Sequence, residues 1–249
     1  MKDCILALGF FDSVHIGHKK IIEETILLSK KFNAVPAVLL MEGDLNFFTG
    51  KTTGLIFTPD ERREIFSDSG IKEIVSFKLS KEFLDRSKSE FLKTLKNDYN
   101  AKGFVCGNDF TFGKNAEGNV DYLKKYCSDN DLGLSVIDDV TAKGKRVSTR
   151  DIKKLLLCGD VENANAELSF PFYYKVKDIF VKNGETALFF DYIKIVLYSG
   201  LYGAYFLRDG VKYFIKVSFN GSDHMMTVVS GDVSELKIGD KIFITGKVS

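Results

Sequence analysis

The chain has 249 residues, enough for one large domain or two of unequal size, and its 45% apolar and 28% charged residues are ordinary for a soluble globular protein. Its 35 Lys+Arg against 34 Asp+Glu leave no basic excess, so the charge gives no support to nonspecific nucleic-acid binding. The four cysteines show no paired spacing, and the N-terminus reads as neither a signal peptide nor a membrane anchor, so a cytoplasmic protein with no membrane partner is expected.

Ile5 to Leu8 is an apolar run bounded by Gly9, as expected of a parallel strand covered on both faces. From Lys19 the pattern turns helical, with Ile21, Ile22, Ile26 and Leu27 on one face. Between them lies Gly9-Phe10-Phe11-Asp12-Ser13-Val14-His15-Ile16-Gly17-His18, which holds two of the three histidines of the chain. A strand-turn-helix unit aims unpaired backbone N–H groups at whatever sits above the strand, and phosphate is the natural guest. Imidazoles with an ordinary pKa of ~6.5 could carry a proton to it, and Gly17 would let backbone and ligand approach closely. Helix capping by the histidines, or half of a metal site, are the other readings of the same residues.

Further along, Ala34 to Met41 reads as a second strand, and Asp60 to Ser69 as a helix opened by Thr58 or Pro59 and stopped at Gly70. Strands follow at Ile74–Phe77, Phe104–Cys106 and Leu134–Ile137. Helices fall over Ser89–Leu95, with Ser87 and Glu90 as a capping box, and over Val120–Tyr126. The βαβα rhythm predicts an α/β fold, a doubly wound, Rossmann-like parallel sheet with ligands at the carboxyl ends of its strands.

Two more stretches carry polar chemistry. Gly107 to Asn119 follows a strand, and its Phe110 and Phe112 form either a wall for a flat ring or two core anchors beneath a polar loop. Arg146 to Lys154 opens a helix capped by Ser148 or Thr149, either a phosphate cradle with Arg150 and Lys153 or an ordinary capped helix. From about Phe170 the texture changes to short β segments divided by Asn183-Gly184, Asp209-Gly210, Asn220-Gly221-Ser222 and Ile238-Gly239-Asp240, which predicts a second, smaller antiparallel β-barrel. The expected domains are residues 1–169 and 170–249.

The Gly9–His18 stretch resembles the H-x-G-H signature of the nucleotidyltransferase superfamily. In its long form it is similar to the adenylyltransferase module of prokaryotic riboflavin kinase/FAD synthetases. Gly107-Asn108-Asp109-Phe110-Thr111-Phe112-Gly113 and Arg146-Val147-Ser148-Thr149 resemble two further elements of that family, in the same order. The resemblance implies transfer of AMP from ATP to FMN, giving FAD and pyrophosphate, with Mg2+. It implies catalytic roles for His15, His18, Ser148, Thr149 and Arg150, and ATP binding by Gly9, Phe10, Phe11, Asp12, Gly17 and Lys153. FMN binding falls to Asn108, Asp109, Phe110, Phe112 and Gly113, with Asp109 as the candidate metal ligand.

Two departures stand out. Ile152 occupies the family's arginine position, and Met41-Glu42-Gly43-Asp44 replaces a Pro-x-Pro turn. The C-terminal stretch shares with the family's kinase barrel only a Gly-x-Tyr strand at Gly200-Leu201-Tyr202, and lacks its Gly-Phe-Pro-Thr-Ala-Asn motif, so a vestigial barrel without kinase activity is expected. A non-catalytic flavin-nucleotide binding protein, or a nucleotidyltransferase with another phosphorylated acceptor, are the alternatives.

Overall fold

The structure, a computed structural model, describes residues 2–43, 53–221 and 223–248; Asp44 and Ser222, each part of a stretch singled out in the sequence, lie outside the described residues. Backbone packing divides the chain into two units, Met1–Gly50 with Pro59–Arg146, and Lys51–Thr58 with Val147–Ser249.

The first unit alternates strand and helix: β1 (Cys4–Leu8), α1 (Ile16–Lys31), β2 (Val35–Glu42), α2 (Pro59–Asp68), β3 (Glu73–Lys78), α3 (Lys81–Leu84), α4 (Lys88–Asn97), β4 (Ala101–Gly107), α5 (Val120–Asp129), β5 (Gly133–Ile137), and a short hairpin of β6 (Thr141–Ala142) and β7 (Lys145–Arg146). The first five strands are all parallel, in the order β3-β2-β1-β4-β5. Every residue of β1 is buried, as a central strand covered on both faces must be. From β1 the winding runs outward to β2 and β3 on one side and to β4 and β5 on the other. The switch point therefore lies between β1 and β4, and the crevice outside their carboxyl ends is where such sheets take ligands.

Local sequence explains most helix ends. Ser87 and Glu90 form the expected capping box of α4. Helix α1 buries Ile21, Ile22, Thr25 and Ser29, whereas Leu27, expected on that face, is 60% exposed. The buried Thr25 hydroxyl is satisfied by donating to the Ile21 carbonyl at 2.7 Å, so a polar residue holds a core position at little cost.

The second unit contains the segment 53–58, α6 (Thr149–Cys158), α7 (Val161–Glu167), β8 (Tyr173–Lys175), β9 (Asp178–Lys182), β10 (Glu185–Phe189), β11 (Gly200–Arg208), β12 (Val211–Phe219), β13 (Met225–Gly231) and β14 (Lys241–Lys247). Its strands form one curled antiparallel sheet, β8-β14-β11-β12-β13-β10-β9, a half-barrel that buries Tyr202, Ala204 and Phe206 of β11 against Ile215, Val217 and Phe219 of β12. Asn183-Gly184 joins β9 to β10 and Asp209-Gly210 joins β11 to β12. Each is a two-residue turn with both φ angles positive (52° and 81°, 50° and 80°), the twist a tight hairpin needs. Residues 53–58 are fastened by hydrogen bonds from Leu55 N–H to Ile193 and from Ile195 N–H to Leu55. The buried Lys194 ammonium lies 4.9–5.7 Å from the ring centres of Phe57, Phe172, Tyr173 and Tyr174.

Candidate active site

Two loops leave the carboxyl ends of the strands that flank the switch point. The first, from β1, carries the histidines. His15 is the N-cap of α1: its Nδ1 accepts the backbone N–H of His18 at 3.1 Å. An accepting Nδ1 carries no proton, so the neutral His15 ring bears its hydrogen on Nε2. The capping reading and the ligand reading of His15 are therefore compatible, since the cap uses one nitrogen and fixes the other as a donor. The two imidazoles stack with centroids 3.7 Å apart and planes 7° from parallel. Gly17 permits this, because a Cβ there would stand 3.0 Å from His15 Cε1 and 3.1 Å from its Nδ1.

Burial decides the protonation. His15 is pushed down to about 4, chiefly by desolvation, and His18 falls well below the ordinary range by desolvation and by its histidine neighbour. Desolvation therefore favours the neutral form of both rings. The buried Nδ1 of His18 has no hydrogen-bond partner among the described residues.

Beneath the rings, Phe11 is fully buried, edge-on to His18 at 4.9 Å and to Phe66 at 5.6 Å. Its place is under the site, as the floor on which His18 rests. Phe11 and Val14 both have positive φ, 54° and 40°, an uncommon backbone for bulky side chains. Gly9 makes room for the Phe11 ring, which a Cβ at residue 9 would meet at 2.9 Å. Asp12 is buried and close enough to Arg62 to favour its charge. Arg62, which the helical pattern of α2 gave no reason to bury, is 0% exposed and donates to the carbonyl oxygens of Phe10 and Met41, each at 2.9 Å. It ties the ends of β1 and β2 together and was missed by sequence reasoning.

The second loop leaves β4. Phe110 and Phe112 stack on each other, centroids 5.5 Å apart. Phe112 is buried in the core against Phe91, while Phe110 is half-buried, so wall and anchor are divided between them. Gly113 has φ 77° and a Cβ there would strike the Lys88 backbone at 2.7 Å. Asn108 and Asp109 are exposed, and the Asp109 carboxylate is held by an ion pair with Arg146. Arg146 forms a second ion pair, its Nε 2.9 Å from an Asp139 carboxylate oxygen.

Ser148, Thr149, Arg150 and Lys153 belong to the second unit. Ser148 caps α6 by accepting the Asp151 N–H at 3.2 Å, and Gly159 closes it in the left-handed conformation with φ 82°. Arg150 is exposed, Lys153 is buried, and Ile152 is fully buried.

The FAD synthetase family model matches residues 1–151. The chain is 25% identical over 174 residues to a bifunctional riboflavin kinase/FMN adenylyltransferase of Listeria monocytogenes, covering 69% of this chain and 55% of that protein. It is 26% identical over 223 residues to the protein of the same description from Bacillus subtilis, covering 87% of this chain and 68% of that one. A FAD synthetase of Listeria monocytogenes is 24% identical over 193 residues, with 76% of each covered. The chain thus spans about half the length of the first of these relatives. A macrolide-efflux protein from Streptococcus pneumoniae shares the fold, with a TM-score of 0.85 at 20% identity over 100% of this chain and 94% of that one.

Proposed function

The chain belongs to the FAD synthetase family, and on that footing we propose that it transfers AMP from ATP to FMN, giving FAD and pyrophosphate. The observation that carries this reading is the stacked, neutral imidazole pair at the start of α1, beside the switch point of a parallel sheet. An FMN phosphate oxygen attacks the α-phosphorus. The bond to the β-phosphate oxygen breaks, and its electron pair leaves on pyrophosphate. No covalent intermediate is needed, so positioning and charge stabilisation supply the catalysis. His15 Nε2–H and the His18 ring contact phosphate oxygens, while the N–H groups at the start of α1 add their dipole.

Around them, Gly9, Phe10, Asp12 and Gly17 shape the ATP end, with Phe11 as the floor. Phe110 offers a half-buried ring to the flavin, Phe112 backs it, and Asn108, Asp109 and Gly113 frame the same loop. Ser148, Thr149, Arg150 and Lys153, at the start of α6 in the second unit, are a second phosphate-binding helix start in this reading. Residues for a dedicated magnesium cage do not fit: among the described residues no three His, Cys, Asp or Glu side chains come together, and Asp109 is engaged by Arg146. Magnesium therefore enters as part of the ATP substrate, bound to phosphate oxygens.

The half-barrel of residues 170–249 carries no kinase activity in this reading, because the sequence lacks the phosphate-binding motif expected there. Among the described residues no helix is long and apolar enough to cross a membrane, and we assign the chain to the cytoplasm. Incubating the purified protein with FMN, ATP and Mg2+ should yield FAD and pyrophosphate; riboflavin and ATP should yield no FMN. Tight FMN binding with no pyrophosphate released would replace the catalytic reading by a binding one.

A further inference from the structure

Among the described residues β9 ends the seven-stranded sheet and pairs with β10 alone. The opposite edge, β8, is three residues long and buries Tyr173 and Tyr174. β9 is different. Asp178, Phe180, Val181 and Lys182 are all exposed, Phe180 by 55% and Val181 by 64%. The strand holds neither proline nor glycine, and the outward N–H and C=O groups of such an edge are a template for another strand.

The direction of those groups follows from the hairpin. Asn183-Gly184 is a two-residue turn, so Lys182 and Glu185 form the hydrogen-bonded pair that closes it. Alternation then turns the backbone groups of Asp178 and Phe180 toward β10, and those of Ile179 and Val181 toward the open edge. Ile179 agrees: its N–H donates at 2.8 Å to the carboxylate of its own neighbour, Asp178. Set antiparallel to a copy of itself, Asp178-Ile179-Phe180-Val181-Lys182 is self-complementary. With Phe180 opposite Phe180, Ile179 faces Val181 in hydrogen-bonded pairs and Asp178 faces Lys182 at both ends. A slip by two residues opposes Phe180 to a charge, and a slip by one misaligns the hydrogen-bonding groups.

From this match we propose that a second copy of this chain docks on β9, the two strands pairing antiparallel about a twofold axis between the Phe180 rings. The interface is isologous, and one sheet continues across it. The Val181 carbonyl of one copy takes the Ile179 N–H of the other, which frees the Asp178 carboxylate for Lys182 of the other copy. The Phe180 rings meet as a cross-strand aromatic pair. A contact of five residues a side is small, so the dimer forms and dissolves with concentration. The pairing is independent of the adenylyl-transfer reading.

Sedimentation equilibrium of the full chain tests the pairing. Wild type should interconvert between one-chain and two-chain species with a Kd of roughly micromolar order. Val181→Pro removes an outward N–H, at a position where an edge strand accepts proline, and should leave the one-chain species with an unchanged far-UV circular dichroism spectrum. Asp178→Lys sets lysine opposite lysine twice and should weaken pairing by about 10-fold or more. Adding Lys182→Asp restores opposite charges and should return the Kd to within about threefold of wild type. Glu235→Lys, the same change of charge at another exposed position of this unit, should stay within about twofold. Should Val181→Pro unfold, the charge variants carry the comparison. A single one-chain species from about 1 to about 500 μM overturns the proposal, even where that species captures an unrelated chain. A dimer that folded Val181→Pro or Asp178→Lys leaves unchanged, or that Lys182→Asp fails to rescue, overturns it as well.

Discussion

Arg62 and Phe10 lie 52 positions apart in the chain, yet the Arg62 guanidinium donates to the Phe10 carbonyl at 2.9 Å and sits 5.6 Å from the centre of its ring. The same side chain reaches Met41 at the end of the neighbouring strand. Burial pushes its pKa down, and Asp12 is the foremost group that opposes the shift. A charged group so placed joins the two strand ends from which the site begins.

Arg62→Ala should therefore cost about 3–5 kcal/mol of unfolding free energy, since it strips a buried ionic group from its partners and leaves a void. Urea unfolding followed by far-UV circular dichroism measures it. A loss below about 1 kcal/mol, the range of a surface substitution, would remove Arg62 from this role.

The histidines should titrate far from their usual range. His15 has a folded pKa of about 4 against an ordinary 6.5, and His18 lies well below that value. A depressed histidine means that the unfolded chain binds more protons between these values, so stability rises with pH there. The contribution is fully present above pH 6.5 and is lost as pH falls toward 4. NMR titration of the three histidines should find His15 with a midpoint near 4. A midpoint near 6.5 for both ring signals of the pair would contradict the neutral site.

The two rings should separate by mutation. His18→Ala keeps the α1 cap, because residue 18 contributes its backbone N–H, and should cost about 2.7–4 kcal/mol of transition-state stabilisation with little change in unfolding. His15→Ala removes both a ligand contact and the cap, adding about 1 kcal/mol of destabilisation. Pyrophosphate release and urea midpoints on the two variants resolve this; identical stability losses would deny His15 its capping role.

Hairpin chemistry offers a test free of packing. Gly184 has φ 81°, and a methyl group at its Cα would meet nothing within 4 Å, so Gly184→Ala suffers only backbone strain. A loss of about 1 kcal/mol is expected. A variant as stable as wild type by thermal unfolding would show that the turn relaxes to another type.

Elements governed by neighbouring residues are legible in the sequence. The Ser87–Glu90 box, the Ser148 cap, the Gly159 stop and the Asn183-Gly184 and Asp209-Gly210 turns are all satisfied within a few positions of chain. The periodicity of strands and helices follows from which faces must be buried. What cannot be read depends on partners distant in sequence. Nothing in the pattern of α2 marks Arg62 for burial, and Phe11, which the resemblance places among the ATP contacts, is instead enclosed by Phe66 and His18. The β6–β7 hairpin turns at Lys143-Gly144, where a lysine takes φ 50° without the usual asparagine or aspartate to announce it. Arg146 stands at the edge of a recognised stretch, but its pairing with Asp109 joins segments 37 positions apart.

The left-handed Phe11 and Val14 bear on how the site meets its first ligand. Such backbone persists only where surrounding structure over-determines it. Glycine at residue 11 would relieve the torsion but take away the ring on which His18 leans, so no single side chain serves both needs. A cradle already locked in shape asks little ordering entropy of an arriving nucleotide, and association is then governed by encounter and contact rather than by a slow rearrangement of the turn.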